Sequence, residues 1–259
     1  MQQLAREELA QFLKEKADQY AKFSFVQDDP IQIPHSFTTA EDIEISGLIA
    51  ATLSWGNRKT IIAKSNDLMD RMDRSPAEFI RGASESDLKT FNGFVHRTFQ
   101  SEDIKGLARS LRMLYQEHES LGGFFKANVR EGATHLGHSF QEFKGYLLAN
   151  GLPLRAGKHF GDPSKGSACK RLIMFTRWMV RTNKEGIDFG LWDIDPALLS
   201  LPLDVHSGRV ARSLGLLKRK QNDWKAVVEL DQSIRAIEPE DPARLDYALF
   251  GLGVYEGWK

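Results

Sequence analysis

Apolar residues recur at three- and four-residue spacing along most of the chain, the pattern of helices with one buried face. The windows that show it are 4–20, 43–55, 59–72, 104–118, 139–149, 168–182, 206–217, 222–236 and 243–252. Runs that alternate apolar and polar residues are scarce, and no hairpin turn joins two of them. The sequence therefore predicts an all-α fold.

Turn-forming residues separate the predicted helices, and the longest such stretch is 152–167. Two helix starts carry a hydroxyl cap and an acid three residues later, at Thr38 with Glu41 and at Ser84 with Asp87. Internal repeats and low-complexity linkers are absent from the sequence. We expect one helical unit over 1–259 with two lobes and a cleft between them. One lobe is about 40–150, and the other is 151–259 plus the N-terminal helix.

A single cysteine, Cys169, excludes an intrachain disulfide and a four-cysteine iron–sulfur cluster or zinc ribbon. The chain has no signal-peptide core and no apolar stretch long enough for a membrane span. We therefore expect a cytoplasmic protein. Nothing such as a long heptad run requires a partner chain, so we expect a monomer.

The net charge is zero, from 35 basic and 35 acidic residues, but the basic residues are clustered. The stretch 152–184 is strongly basic and contains one acid, Asp162, and the stretch 209–220 contains five basic residues and no acid. Each stretch fits a solvated helix face. Two of them flanking one candidate site also fit an anionic ligand.

The first candidate site segment is GSACKRLIMFTRWMVR, 166–181. In a helix, Lys170, Arg177 and Arg181 share one face, and the remaining residues are nearly all apolar. This pattern predicts a buried helix with one basic stripe. Lys170 falls in the first turn, where the helix dipole disfavours an ammonium group. Schiff-base chemistry requires a neutral amine.

The second candidate is Asp204, placed where the 206–217 helix begins. Its ordinary interpretation is a helix N-cap. The third is the corner between the helices 43–55 and 59–72, where Trp55 and Asn57 fit either a wedge and a base-reading residue or a core residue and a helix cap.

The segment PLDVHSGRVARSLGL resembles the V-D-T-H-x-x-R-V-x-x-R-L-G segment of helix-hairpin-helix DNA glycosylases, whose aspartate is catalytic. The matching residues are Asp204, His206, Arg209, Val210, Arg212, Leu214 and Gly215. Val205 replaces the usual threonine. The positions after Ser164 are similar to the hairpin's second helix, but DPSKGSACKRL stands in place of the usual L-P-G-V-G-x-K-T. This departure weakens the expected backbone cradle for a phosphate.

The long spacing between Lys170 and Asp204 is closest to the archaeal 8-oxoguanine glycosylase branch, which also lacks an iron–sulfur cluster. The closing segment ARLDYALFGLG is similar to that branch as well. The whole chain also resembles an uncharacterised bacterial family related to it, through SWGNR, GSACKR, RWMVR, LPLDVHSGR and ALFGLG.

This resemblance implies an all-α fold with a helix-hairpin-helix core and a bifunctional DNA repair glycosylase without a cofactor. Its partner would be double-stranded DNA with a damaged base such as 8-oxoguanine, and its location would be the nucleoid. Lys170 would form a Schiff base and Asp204 would stabilise the transition state. The implied DNA contacts are Gly166, Ser167, Arg177, Arg181, His206, Arg209, Trp55, Asn57 and Arg58. The candidates for stacking on the extruded base are Trp178, Phe250, Trp258 and again Trp55.

Two alternatives stay open at this point. Lys170 also fits a phosphate-binding role in a monofunctional glycosylase or in a protein that binds DNA without catalysis. A metal-dependent hydrolase is the other class, because His135, His138 and Glu142 are closely spaced, although not at metalloprotease spacing. For Cys169 we expect a buried helix cysteine rather than a nucleophile, since its segment contains no histidine.

Overall fold

The computed structural model describes residues 6–258, and most of them are helical, which confirms the all-α class. Each of the nine predicted windows contains a helix. In the described residues the α-helices are α1 Arg6–Tyr20, α2 Ala40–Leu53, α3 Arg58–Arg71, α4 Pro76–Gly82, α5 Ser101–His118, α6 Leu121–Ala127, α7 Gly137–Ala149, α8 Lys170–Val180, α9 Val205–Ser213, α10 Trp224–Arg235 and α11 Asp246–Val254. Short 3-10 helices occupy several of the connections, including Pro163–Lys165 just before α8. No helix within 6–258 has the length and apolar character that a bilayer crossing requires.

The pattern analysis missed the short helices α4 and α6 and a small antiparallel hairpin. The hairpin pairs β1 Val95–His96 with β2 Phe99–Gln100. Two-residue strands are too short to show an alternating pattern, and the turn has no glycine or asparagine to signal it. The turn nevertheless uses a left-handed residue, Arg97, with φ of 56°.

The helix starts agree with the predicted caps apart from one shift. Thr39, not Thr38, caps α2, and its hydroxyl accepts a hydrogen bond from the Asp42 N–H. The Ser84 and Asp87 pair forms as predicted, since each side chain accepts from the other's backbone N–H. This second pair precedes a 3-10 helix, Asp87–Phe91, and not an α-helix.

Contacts within the chain divide it into two compact units. The first comprises residues 6–25, 131–137 and 162–258, and the second comprises 26–130 and 138–161. The cleft between two lobes stays a prediction.

In the first unit, α11 packs on α1 and α9. Gly251 of α11 makes this close approach possible, because a Cβ there would lie 2.0 Å from the ring of Tyr20. The packing of α11 on α9 matters for the site, since Asp204 is the N-cap of α9 and α11 begins at Asp246.

The core of the second unit is rich in phenylalanine, with Phe91, Phe94, Phe99, Phe125, Phe140 and Phe143 fully buried. The one acid of α2 in this core, Glu44, accepts hydrogen bonds from the Tyr115 hydroxyl and from the N–H groups of Leu121 and Gly122. These two N–H groups are at the start of α6, so Glu44 satisfies donors that the helix itself leaves free. This buried carboxylate is structural.

Candidate active site

Lys170 and Asp204 form an ion pair at the surface of the first unit. Nζ of Lys170 donates to Oδ2 of Asp204 over 2.5 Å. Lys170 is the first residue of α8 and Asp204 is the N-cap of α9, so two helix starts position the pair. Their side chains are 40% and 30% exposed. The two residues that the sequence singled out as a catalytic pair therefore lie together and are open to solvent.

The two oxygens of the Asp204 carboxylate have separate partners. Oδ1 accepts from the N–H groups of His206 and Ser207, at 2.8 and 3.0 Å, and so caps α9. The Asp204 N–H in turn donates to the Ser207 hydroxyl, which completes a capping box. Oδ2 is the oxygen that meets Lys170. The cap and the lysine contact are thus compatible, and the cap holds the carboxylate in place.

Asp204 is an anion at neutral pH. Its burial alone would raise the pKa, but the Lys170 ammonium and the N–H groups of α9 hold the pKa of this carboxyl below its usual value. A fixed carboxylate at this position is suited to stabilising positive charge that develops beside it.

A tight turn before α8 sets the direction of Lys170. Gly166 and Cys169 both have left-handed backbone conformations, with φ of 79° and 51°. Cys169 is buried, as expected for a helix cysteine, and its N–H donates to the Ser167 hydroxyl. Lys170 then begins α8, and the apolar residues that come after it anchor the helix in the core.

The amides of this turn are not free for a phosphate. The Gly166 N–H donates to the Pro163 carbonyl and the Ser167 N–H to the Asp162 carbonyl, at 3.0 and 3.1 Å. Both donors are satisfied inside the turn, so the phosphate contacts expected of Gly166 and Ser167 do not fit the structure.

The predicted phosphate contacts of Arg177 and Arg181 are also wrong, because each side chain is only 5% exposed. Arg177 donates to Asp246 and lies 3.4 Å from Asp188, while Arg181 bonds Asp241 at 2.7 Å and Asp188 at 2.8 Å. We call these five residues together with Tyr247 the buried charge network. The predicted basic stripe does not reach solvent, and phosphate contacts of the two arginines do not fit this burial.

Tyr247 lies against both arginines in the buried charge network. The guanidinium carbons of Arg177 and Arg181 stand 4.8 and 5.7 Å from its ring centre. Its hydroxyl donates to Asp188 over 3.0 Å. The ring thus replaces part of the hydration that two buried cations lose.

Asp246 is the residue of the site that the sequence analysis missed. Its burial raises the pKa of its carboxyl to about 6, although Arg177 acts in the opposite direction. The charges of Asp204 and Lys170 also act on it, so the network and the candidate pair are electrostatically coupled. The sequence feature that could have identified Asp246 is its position as an acid at the start of the apolar segment DYALFGLGV.

The remaining candidates of the first unit divide by exposure. His206 and Arg209 lie exposed on α9 and are accessible to a ligand. Trp178 is completely buried, which argues against stacking on an extruded base. Phe250 is half-buried with its ring edge-on to Phe25 at 5.4 Å, and Trp258 is half-buried against Phe12 at 5.8 Å. A stacking role stays a prediction for these last two.

Trp55, Asn57 and Arg58 belong to the second unit. Asn57 caps α3, since its side-chain oxygen accepts from the Thr60 N–H, and Arg58 is exposed. Trp55 is half-buried, with its ring 5.4 Å from that of His159 and the Arg97 guanidinium 5.0 Å above it. The cap interpretation of Asn57 is therefore confirmed, whereas Trp55 is half-buried and not a core residue. The contacts of both residues with DNA stay a prediction.

The described residues contain no cluster of side chains that fits the alternative of a metal site. No group of three or more His, Cys, Asp or Glu side chains within 6–258 is arranged to hold a metal ion. The His135 ring lies 5.1 Å from that of Trp224, and Nδ1 of His138 lies 3.5 Å from the Glu142 carboxylate within α7.

Comparison with known proteins yields one match. No curated protein and no solved structure matches this chain. A family model described as "Protein of unknown function (DUF2400)" matches residues 29–255, which include both Lys170 and Asp204. The match spans most of the sequence, and the chain belongs to the DUF2400 family.

Proposed function

We propose that this protein is a DNA glycosylase with lyase activity, in which Lys170 is the nucleophile and Asp204 its carboxylate partner. The observation that carries the proposal is the 2.5 Å contact between Nζ of Lys170 and Oδ2 of Asp204 at the start of two helices. Oxidised purines such as 8-oxoguanine, in double-stranded DNA, are the proposed substrates. The helix-hairpin-helix core is part of this proposal, with the turn at 162–169 and α8 as its second half.

The chemistry needs an amine and a carboxylate on the same side of the sugar. Lys170 gives up a proton and its amine attacks C1′, while the bond from C1′ to the base breaks and the base leaves with the electron pair. The base takes up a proton as it leaves. Asp204 stabilises the positive charge that develops on the sugar in the transition state.

The lyase step starts from the lysine adduct. Opening of the sugar ring gives a protonated imine between Nζ and C1′, which makes a C2′ proton acidic. Loss of that proton and departure of the 3′ phosphate break the strand. Hydrolysis of the imine then returns Lys170 as an amine.

Two properties of the pair suit these steps. Both side chains are partly exposed, so a substrate atom can come between them without unfolding the unit. The N–H groups of His206 and Ser207 also hold the Asp204 carboxylate, at 2.8 and 3.0 Å, so it keeps its position when Lys170 changes partners.

A second candidate function is DNA binding without catalysis. The capping box of α9 favours it, because a helix cap alone accounts for an aspartate at position 204. The two functions differ in whether a covalent adduct forms.

Borohydride trapping tests the proposal directly. Duplexes with one 8-oxoguanine or one abasic site are incubated with wild-type protein and with Lys170→Gln. Lys165→Gln is the matched control, since Lys165 is an exposed lysine in the turn before α8. We expect a covalent band for wild type and Lys165→Gln and none for Lys170→Gln. A wild-type protein that gives no band on either duplex, or a band that survives Lys170→Gln, overturns the proposal.

A further inference from the structure

A depression of about 640 Å³ lies on the exposed side of α9, next to Asp204. It is lined by Val205, Arg209, Arg212, Ser213, Lys220 and Asn222. We call it the α9 depression. Three of its six residues are cationic and none is acidic, because it forms from the acid-free stretch 209–220 and its neighbours. An anion is therefore the ligand that its charge favours.

One residue that lines the α9 depression, Asn222, is hydrogen-bonded to Asp204. Nδ2 of Asn222 donates to the backbone carbonyl of Asp204 over 2.8 Å. Val205, the next residue in the chain, lines the depression and is 63% exposed. A group bound here would therefore lie next to Asp204.

One cation of the depression is held in a fixed orientation. Nε of Arg212 donates to the Arg219 carbonyl and Nη2 donates to Oδ1 of Asn222, both over 2.7 Å. Gly208 permits this arrangement, since a Cβ there would lie 2.8 Å from Nη1 of Arg212 and 2.8 Å from Oδ1 of Asn222. The arginine is thus ordered before any ligand arrives, which lowers the entropy cost of binding.

The other two cations keep their charge available. Arg209 and Lys220 are exposed, and within the described residues neither lies within ion-pair distance of a carboxylate. Arg219, one residue before Lys220, is different because it is neutralised by Asp223. Of these two neighbours, Lys220 therefore keeps an uncompensated charge and Arg219 does not.

We infer that the α9 depression binds a backbone phosphate of the DNA duplex next to the nucleotide that Lys170 attacks. This inference rests on the proposed function and extends it to the path of the DNA backbone. Arg209 and Arg212 offer planar donors that match phosphate oxygens, Lys220 adds a point charge, and the exposed Val205 side chain faces the adjoining sugar.

The test is the salt dependence of binding to an undamaged duplex, measured by fluorescence anisotropy. The variant is Arg209→Gln with Lys220→Gln. The control is Lys184→Gln with Lys225→Gln, which removes the same charge from exposed positions of the same unit. We expect the first variant to bind roughly tenfold more weakly, and the slope of log K against log salt to become less negative by about 0.9, the loss of one phosphate contact. The control is expected to keep the wild-type slope.

A wild-type slope in the Arg209→Gln and Lys220→Gln variant, or an equal change in the control, overturns the inference. A second variant, Arg209→Lys, keeps the charge and loses the planar donors. We expect it to keep the salt slope with reduced affinity, and unchanged affinity contradicts a phosphate held by Arg209. Borohydride trapping fails or succeeds independently of this slope, so the proposed function and the phosphate site are tested separately.

Discussion

One helix, α8, places cations in two opposite environments. Lys170 at its start is 40% exposed and meets a single carboxylate, whereas Arg177 within it and Arg181 at its end are 5% exposed and share three carboxylates. All three are basic residues of the same helix face by sequence. The difference is whether the cation keeps access to water and to a ligand.

Energetics separates the two environments. Burying an ion costs several kcal/mol of free energy, and the buried charge network offsets this cost with paired carboxylates and hydrogen bonds. Removing one of its residues therefore leaves the charges of the others unpaired in a nonpolar interior. An exposed pair contributes about 1 kcal/mol or less to folding. Its partners are therefore free to change contacts when a substrate arrives. The buried charge network supports the helix, and the exposed pair is available for chemistry.

The largest expected effect comes from breaking the network. Arg177→Ala leaves Asp246 and Asp188 buried without their partner, and we expect a loss of about 3–5 kcal/mol in the free energy of unfolding, measured with urea. The exposed Arg209→Ala is the control and should change it by less than about 0.5 kcal/mol. Adding Asp246→Asn to Arg177→Ala is expected to recover part of the loss. Equal losses for Arg177→Ala and Arg209→Ala contradict the comparison.

A pH effect is expected from Asp246. Its folded pKa of about 6 lies above the usual 3.8, so its contribution to stability is complete below the unfolded pKa and is lost as pH rises through 6. Between pH 4 and 7 we expect the free energy of unfolding of wild type to fall by up to about 3 kcal/mol relative to that of Asp246→Asn. Urea unfolding at each pH measures both values. Burial also raises the pKa of Asp231 to about 6. Because Asp231 is present in both proteins, its effect cancels in the difference between their unfolding free energies. Parallel pH profiles for the two proteins are the contrary result.

Asp204 allows its two roles to be separated. Asp204→Ala removes the cap of α9 and should cost about 1 kcal/mol of unfolding free energy, whereas Asp204→Asn keeps a capping oxygen and should cost less. Both variants are expected to lower borohydride trapping by about a hundredfold or more, since neither has a negative charge at Oδ2. If Asp204→Asn traps DNA like wild type, position 204 acts only as a cap.

The smallest expected change in stability is that of Lys170→Gln. Because the pair is partly exposed, the free energy of unfolding should shift by less than about 1 kcal/mol, although trapping is lost completely. Thermal and urea unfolding check the first statement. A loss comparable to that of Arg177→Ala means that Lys170 belongs to the structural network instead.

The predicted helices are found where apolar spacing is strong over several turns, as in α5 and α10. The misses are short, namely α4, α6 and the hairpin of β1 and β2. A helix of two turns or a strand of two residues has too few positions to show a period, and its stability comes from the core around it. The hydrogen bonds from the first N–H groups of α6 to Glu44 of α2 are such a tertiary contribution.

In the candidate site, too, some features follow from the sequence and others depend on tertiary contacts. The pairing of Lys170 with Asp204 agrees with a resemblance to a family segment, and Asp204 agrees with cap chemistry as well. The burial of Arg177 and Arg181 could not be predicted, because it depends on segments far along the chain that supply Asp241 and Asp246. The burial of Trp178 agrees with the apolar pattern of its helix.

The sequence by itself determined the helical class, most helix positions and the residues that stand at helix starts, since these depend on spacing and capping within a few neighbours. Only the tertiary structure decided which cations are buried, which turn amides are already bonded and where an acid-free surface opens beside Asp204. These properties depend on which distant side chains come within a few ångströms, and local sequence does not encode that distance.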